Sequence, residues 1–294
     1  MKPQHLAAIL IIDLIWGFNI VAVKESVTSA GPLVTVLLRY AFATAICLPF
    51  VRWLPGRMHL ILLTALIAGA LFMTLGAISF AVADNISALS IVGQLGVPFS
   101  LILAVIFMGE RIRWPRATAV AITFVGVVVM GFDPAIAHER LGILLTAGAA
   151  LCWAGGNLLF RKLAGVSVFV IHGWIGLISM PIVLTLAWMF EPERVLAIPQ
   201  LPAATWGWLA YSGILSSLVG HGGMTWLFQR YPVAVVSPLT LPTPLISVCV
   251  AIAVYNTPIT GQMLAGGLLT LIGVAIITIR TAQRRDSDMP VEPT

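Results

Sequence analysis

Stretches of about 20 apolar residues recur along the whole chain, and no other feature constrains the fold as strongly. At 1.5 Å of rise per residue a helix of that length crosses the ~30 Å hydrocarbon layer of a bilayer. Ten such windows can be placed, at roughly 6–24, 32–51, 60–82, 86–108, 115–132, 140–161, 168–190, 204–229, 234–255 and 262–280. Period-two alternation is absent, so the spans are predicted as α-helices and not as barrel strands. Composition agrees: 60% of the 294 residues are hydrophobic and 9% are charged, against about 25% charged in a soluble domain. The first window lacks an A-x-A-like exit, so it is expected to remain as a span. The connecting segments, such as "RWLPGR" at 52–57 and "NTPITG" at 256–261, are short and leave no room for a soluble domain. The polar "TAQRRDSDMPVEPT" at 281–294 is expected to be a disordered cytoplasmic tail.

Basic residues give the orientation, because Lys and Arg are retained on the cytoplasmic side. Counting loops alternately from an inside N-terminus places 12 of the 16 basic residues inside and only Lys24, Arg140 and Arg194 outside, with Arg39 inside a span. Both termini are therefore expected in the cytoplasm. The net charge of +5 reads as a topology signal and calls for no nucleic-acid partner. Cys47, Cys152 and Cys249 all lie within spans without C-x-x-C spacing, which predicts packing residues, not a metal site or disulfide.

The chain also repeats itself. "WGFNIVAVK" at 16–24 matches "WAGGNLLFRK" at 153–162, aligning Asn19 with Asn157 and Lys24 with Lys162. Residues 88–98 align with 234–244 at a constant offset of 146. Each half then holds five spans, an odd number, so the second half starts from the opposite side of the membrane. The predicted fold is an all-α membrane protein of ten transmembrane helices in two inverted five-helix repeats, residues 1–132 and 140–280. Inverted repeats are an architecture of secondary transporters, with a solute site near the midplane between them. The ninth span carries "SPLTLPTPL" and the fourth "GQLGVP"; backbone freed by such breakers must face protein or a wet cavity.

With these residues in view the sequence resembles the drug/metabolite transporter superfamily, in its EamA-type ten-helix branch, over roughly residues 8–280. The likeness rests on "IWGFN" at 15–19, "LLRYAFA" at 37–43, "GERI" at 109–112 and "LCWAGGNLLFRK" at 151–162. Through the last segment and "VVSPLTLPTPL" at 235–245 it looks most like bacterial exporters of O-acetylserine and cysteine. The resemblance implies export of small amino-acid-like metabolites and, as the location, a cell inner membrane. In such proteins the second half commonly repeats Gly-Glu after its fourth helix, where this chain has Tyr255 and Asn256.

Polar residues inside spans are the site candidates, since each costs insertion energy unless it has a partner, a wet cavity or a function. Substrate contacts are expected from Trp16, Asn19, Gln94, Pro98, Trp153, Asn157, His221, Thr240 and Pro244. Asp13, on the helical face of Trp16, is read either as the group that couples transport to protons or as a structural carboxylate. For the two asparagines the alternative is interhelical bonding. Arg39 is read as a structural residue that anchors Glu25 or backbone carbonyls. His172 ranks below His221. Ser212, Ser216 and Gly220 form a small-residue packing face, while Trp53, Trp206 and Trp208 are interfacial anchors. Glu110, Arg111, Arg113 and Arg116 form a cytoplasmic cluster suited to membrane lipid.

Rival classes fail on motifs. No lysine completes a G-x-x-x-x-G-K-[ST] loop, "HERLG" at 138–142 departs from H-E-x-x-H, and G-x-S-x-G is missing. Neither an enzyme nor a cofactor is expected. The reading is a proton-coupled carrier of an amino acid or related metabolite, with efflux of an apolar or cationic drug-like compound as the alternative.

Overall fold

The protein is described here from a computed structural model, which covers residues 3–108, 113–133, 138–231 and 236–288. Every helix-or-strand element among these residues is helical, with no strand. Seven helices are long and apolar enough to cross a membrane: α1 (Pro3–Ala30), α2 (Pro32–Phe50), α3 (Met58–Val82), α4 (Ile86–Phe107), α5 (Trp114–Gly131), α6 (Arg140–Lys162) and α7 (Val168–Phe190). Helical structure continues over 203–230 (α8), Pro242–Tyr255 (α9) and Gly261–Asp288 (α10). The "GERI" segment and Glu110 and Arg111 of the basic cluster lie outside the described residues.

Local chemistry sets the boundaries. Gly31, at φ 86, turns the chain between α1 and α2, and Pro32 opens α2 where its missing N–H is no loss. Asn256 ends α9 in the left-handed conformation, φ 50, which Asn tolerates better than most residues. The ninth span, predicted from 234, becomes regular α-helix only from Pro242, after a 3-10 turn at Ser237–Thr240 that carries Pro238. The fourth helix has its own 3-10 turn at Gly93–Leu95. One expectation changes at the C-terminal end, where α10 runs on through residues 281–288, which the sequence reading placed in a disordered tail. Extending an existing helix adds one backbone bond per residue fixed and needs no new nucleus.

Two features were not foreseen. The third helix opens into a π-helical segment at Ala65–Leu71, and the eighth does the same at Tyr211–His221.

Helices pack as α5 on α10, α2 on α7, α1 on α9, and both α3 and α4 on α6. The largest apolar core joins α1, α2, α3, α6 and α7 through residues such as Val34, Ile61, Phe160 and Ile171. Outward faces of Leu, Ile, Val and Phe remain exposed, for example Leu10, Phe18, Leu144 and Ile272, as hydrocarbon contact requires.

Candidate substrate cavity

A cavity of about 290 Å³ lies among α1, α3, α4, α6, α8 and α9, with Arg39 of α2 also in its lining, near the lower end of the range for small-molecule sites. It forms where the helices are irregular. The 3-10 turn of α4 presents Gly93 and Gln94, the approach to α9 presents Thr240, Thr243 and Pro244, and the π segment of α8 presents Ser216 and His221. A π turn displaces the usual i→i+4 partner, so carbonyls become available to side chains. The Ser216 carbonyl illustrates this: it accepts the Trp16 indole N–H at 3.3 Å and bonds His221 Nδ1 at 2.9 Å.

Four rings form one wall. Trp153 lies edge-on to Trp16 at 6.3 Å between centroids and to His221 at 5.0 Å, and Phe72 sits 5.2 Å from Trp153 and 5.7 Å from His221. Gly220 makes room for them, since a Cβ there would collide with the Trp16 indole. The small-residue ladder thus serves a ring as well as a helix.

The structure brings together Trp16, Asn19, Gln94, Trp153, Asn157, His221, Thr240 and Pro244 around this space. Pro98 is not among the lining residues. It is buried on α4, and at 100° per residue it points away from the face of Gly96 and Ser100, which do line the cavity. The two asparagines differ. Asn19 Oδ1 accepts a bond from Ser212 Oγ at 2.9 Å, whereas Asn157, 3% exposed, has an Oδ1 with no partner.

Asp13 sits beside the cavity without lining it. The Trp16 face borders the cavity, but Asp13, about 60° around the helix, is buried and does not line it. Its Oδ1 accepts the Thr243 hydroxyl at 2.6 Å and its Oδ2 has no partner. Thr243 itself lines the cavity, so one hydroxyl separates the carboxylate from the open space.

Arg39 is not tied to Glu25. Its Nη2 donates to Ser217 Oγ at 3.1 Å, while Glu25 accepts the Tyr255 hydroxyl at 2.7 Å. His172 bonds Thr225 Oγ1 at 3.2 Å and stacks on Phe160, away from the cavity walls.

The sequence reading missed a set of charged groups at the helix ends. Glu139, fully buried, accepts the backbone N–H groups of Asp84 and Asn85 at the start of α4. Glu191 does the same for Leu33 and Val34 at the start of α2. Lys24 Nζ donates to the carbonyls of Phe80 and Ala83 at the end of α3. Each charge has the sign the helix end requires. Glu139 and Glu191 beside predicted span ends were the available signal.

The model of the EamA-like transporter family matches residues 5–132 and again 140–279. A protein of Escherichia coli named a probable amino-acid metabolite efflux pump is 26% identical over 278 residues, covering 91% of this chain and 92% of the relative. A probable terminal-alkyne amino-acid exporter of Streptantibioticus cattleyicolor is 24% identical over 65% of this chain and 64% of its own. A solved crystal structure superposes over 97% of this chain and 99% of the other, with a TM-score of 0.65 at 18% identity, a likeness of fold.

Proposed function

The chain belongs to the EamA-like transporter family, and from that membership we propose a ten-span secondary carrier that exports a small amino-acid-like metabolite by alternating access. Its apolar helices make it a multi-pass membrane protein, and its family and relatives point to a transporter, not an enzyme. The spans are the seven long helices together with α8, α9 and α10, in inverted halves of residues 1–132 and 140–280, with both termini cytoplasmic in an inner membrane.

The observation that carries the reading is the cavity itself, with side-chain amides and a ring cluster contributed from both halves. An amino acid needs polar partners for its head and apolar walls for its side chain. The packing pattern supports the inverted halves. Exchanging each helix for its counterpart five places on turns the α1–α9 contact into α6–α4, the α3–α6 contact into α8–α1, and leaves α2–α7 and α5–α10 unchanged; all these contacts occur. The π segments support it too, since they begin at positions 146 apart, 65 and 211, the offset at which residues 88–98 align with 234–244.

Coupling is assigned to Asp13. A buried carboxylate with one unpartnered oxygen, one hydroxyl removed from the cavity, is placed to take up a proton in one access state and release it in the other. The test is transport of labelled cysteine, O-acetylserine and aromatic amino acids in proteoliposomes, with and without an imposed pH gradient. For Asp13→Asn, gradient-driven transport is expected to disappear while solute exchange at equal pH persists. Unchanged gradient-driven transport would make Asp13 structural. Failure of every amino acid to move would favour the drug-efflux alternative.

A further inference from the structure

The cavity has a single formally charged wall residue. Among the described residues that line it there is no Asp, Glu or Lys, and the only permanent charge is Arg39. This arginine comes from α2, a helix that packs chiefly on α7 and also on α1, α3 and α8, and that contributes no other lining residue. Arg39 is 7% exposed, and its Nε has no hydrogen-bond partner. Its one hydrogen bond, from Nη2, goes to a neutral hydroxyl, Ser217 Oγ, which in turn donates to the Ser212 carbonyl at 2.9 Å. The chain thus holds the guanidinium in place without neutralising it.

A guanidinium carries five N–H donors in a planar fork whose strongest partner is a carboxylate. Burying one in a membrane protein without an acid is costly. A structural cation would gain most from a carboxylate of the protein, yet the hydrogen bond it makes is to serine. The arrangement leaves that place for an anion that comes and goes. The same cavity is lined by the rings of Trp16, Trp153 and Phe72, and it offers the unpartnered Asn157 Oδ1 to an ammonium group.

We propose that Arg39 is the anchor for the substrate's carboxylate, so that the cavity selects amino acids carrying a free carboxylate and an apolar or aromatic side chain, and rejects amines, amides and cationic compounds of the same shape. This rests on the amino-acid export reading and sharpens it. A fixed positive charge in a cavity without acids repels a cationic drug, which separates the two substrate classes that the sequence left open.

The test uses unaltered protein, so folding of a variant does not enter. Exchange of labelled phenylalanine or cysteine in proteoliposomes is challenged with the unlabelled amino acid and with its carboxamide, phenylalaninamide or cysteinamide. The amide keeps shape and ammonium group and loses the negative charge. Removing a charged hydrogen-bonding partner predicts competition weaker by about tenfold or more. A smaller difference overturns the proposal while leaving amino-acid export standing. Exchange of neither amino acid removes the export reading and this one together. A second measurement takes Arg39→Lys and Arg39→Gln: the lysine variant, which keeps the charge, is expected to retain the preference for acid over amide, and the glutamine variant to lose it. A wild-type preference for acid over amide in the glutamine variant would assign Arg39 to structure alone.

Discussion

At the scale of single residues, the buried carboxylates of this protein divide by what they hold. Glu139 accepts two backbone N–H groups at the head of α4, with Oε1 2.7 Å from the Asn85 nitrogen. Charge-assisted bonds of this kind are worth about 1.5–3 kcal/mol. Glu139→Gln keeps an acceptor and loses the charge, so it is expected to lower stability by about 1–2 kcal/mol, visible as an earlier thermal unfolding transition in detergent, with solute preference unchanged. An unaltered transition would remove the capping role. Asp13 accepts one side-chain hydroxyl and has one oxygen without a partner. The sequence marked Asp13 as costly and therefore meaningful. It could not place it behind Thr243, because a helical wheel gives a face and not the neighbour on that face. The same limit explains Pro98, whose breaker chemistry was legible and whose direction was not. Arg39 was visible as an intramembrane charge, but its nearness to Ser217 depends on α2 and α8 meeting.

At the scale of elements, helix existence was legible and helix irregularity only partly so. The 3-10 turns near Gly93 and before Pro242 announce themselves through Gly and Pro. The π segments carry no such marker: "ALIAGAL" reads as ordinary apolar helix. Close helix approaches accompany them. Gly69 in the first π segment approaches Ser179 of α7, and Gly213 in the second approaches the backbone of α2 at Arg39. Gly220, in the same segment, admits the Trp16 indole. Gly220→Ala therefore forces Trp16 out of place. The expected result is a loss of about 1–3 kcal/mol from overpacking and weakened solute exchange, read by thermal unfolding and proteoliposome transport. Wild-type values in both would show that the close approach has no consequence.

At the scale of the whole molecule, the α2–α7 and α5–α10 pairs pack beside the cavity helices, and of these four only α2 reaches the cavity, through Arg39. In the α5–α10 pair the backbones touch: a Cβ on Gly126 would meet the Gly266 carbonyl and Thr270, and one on Gly266 would meet the Gly126 carbonyl. Small residues permit that approach in a membrane, where lipid supplies no hydrophobic drive between helices. Gly126→Val is expected to separate the pair and lower the unfolding temperature while sparing the order of substrate preference, because no α5 or α10 residue lines the cavity. A changed preference would mean that the pair shapes the site. The repeat is proposed from two short alignments in different registers, Asn19 with Asn157 and residues 88–98 with 234–244, and the family model matches once in each half. The central claim is that this cavity binds the transported amino acid, and Asn157 tests it most directly, being buried with an unpartnered side-chain oxygen. Exchange of labelled amino acid in proteoliposomes should fall about tenfold or more in Asn157→Ala, from the loss of one polar contact to a charged solute group, with the protein still folded. Exchange at the wild-type rate and affinity would contradict the account.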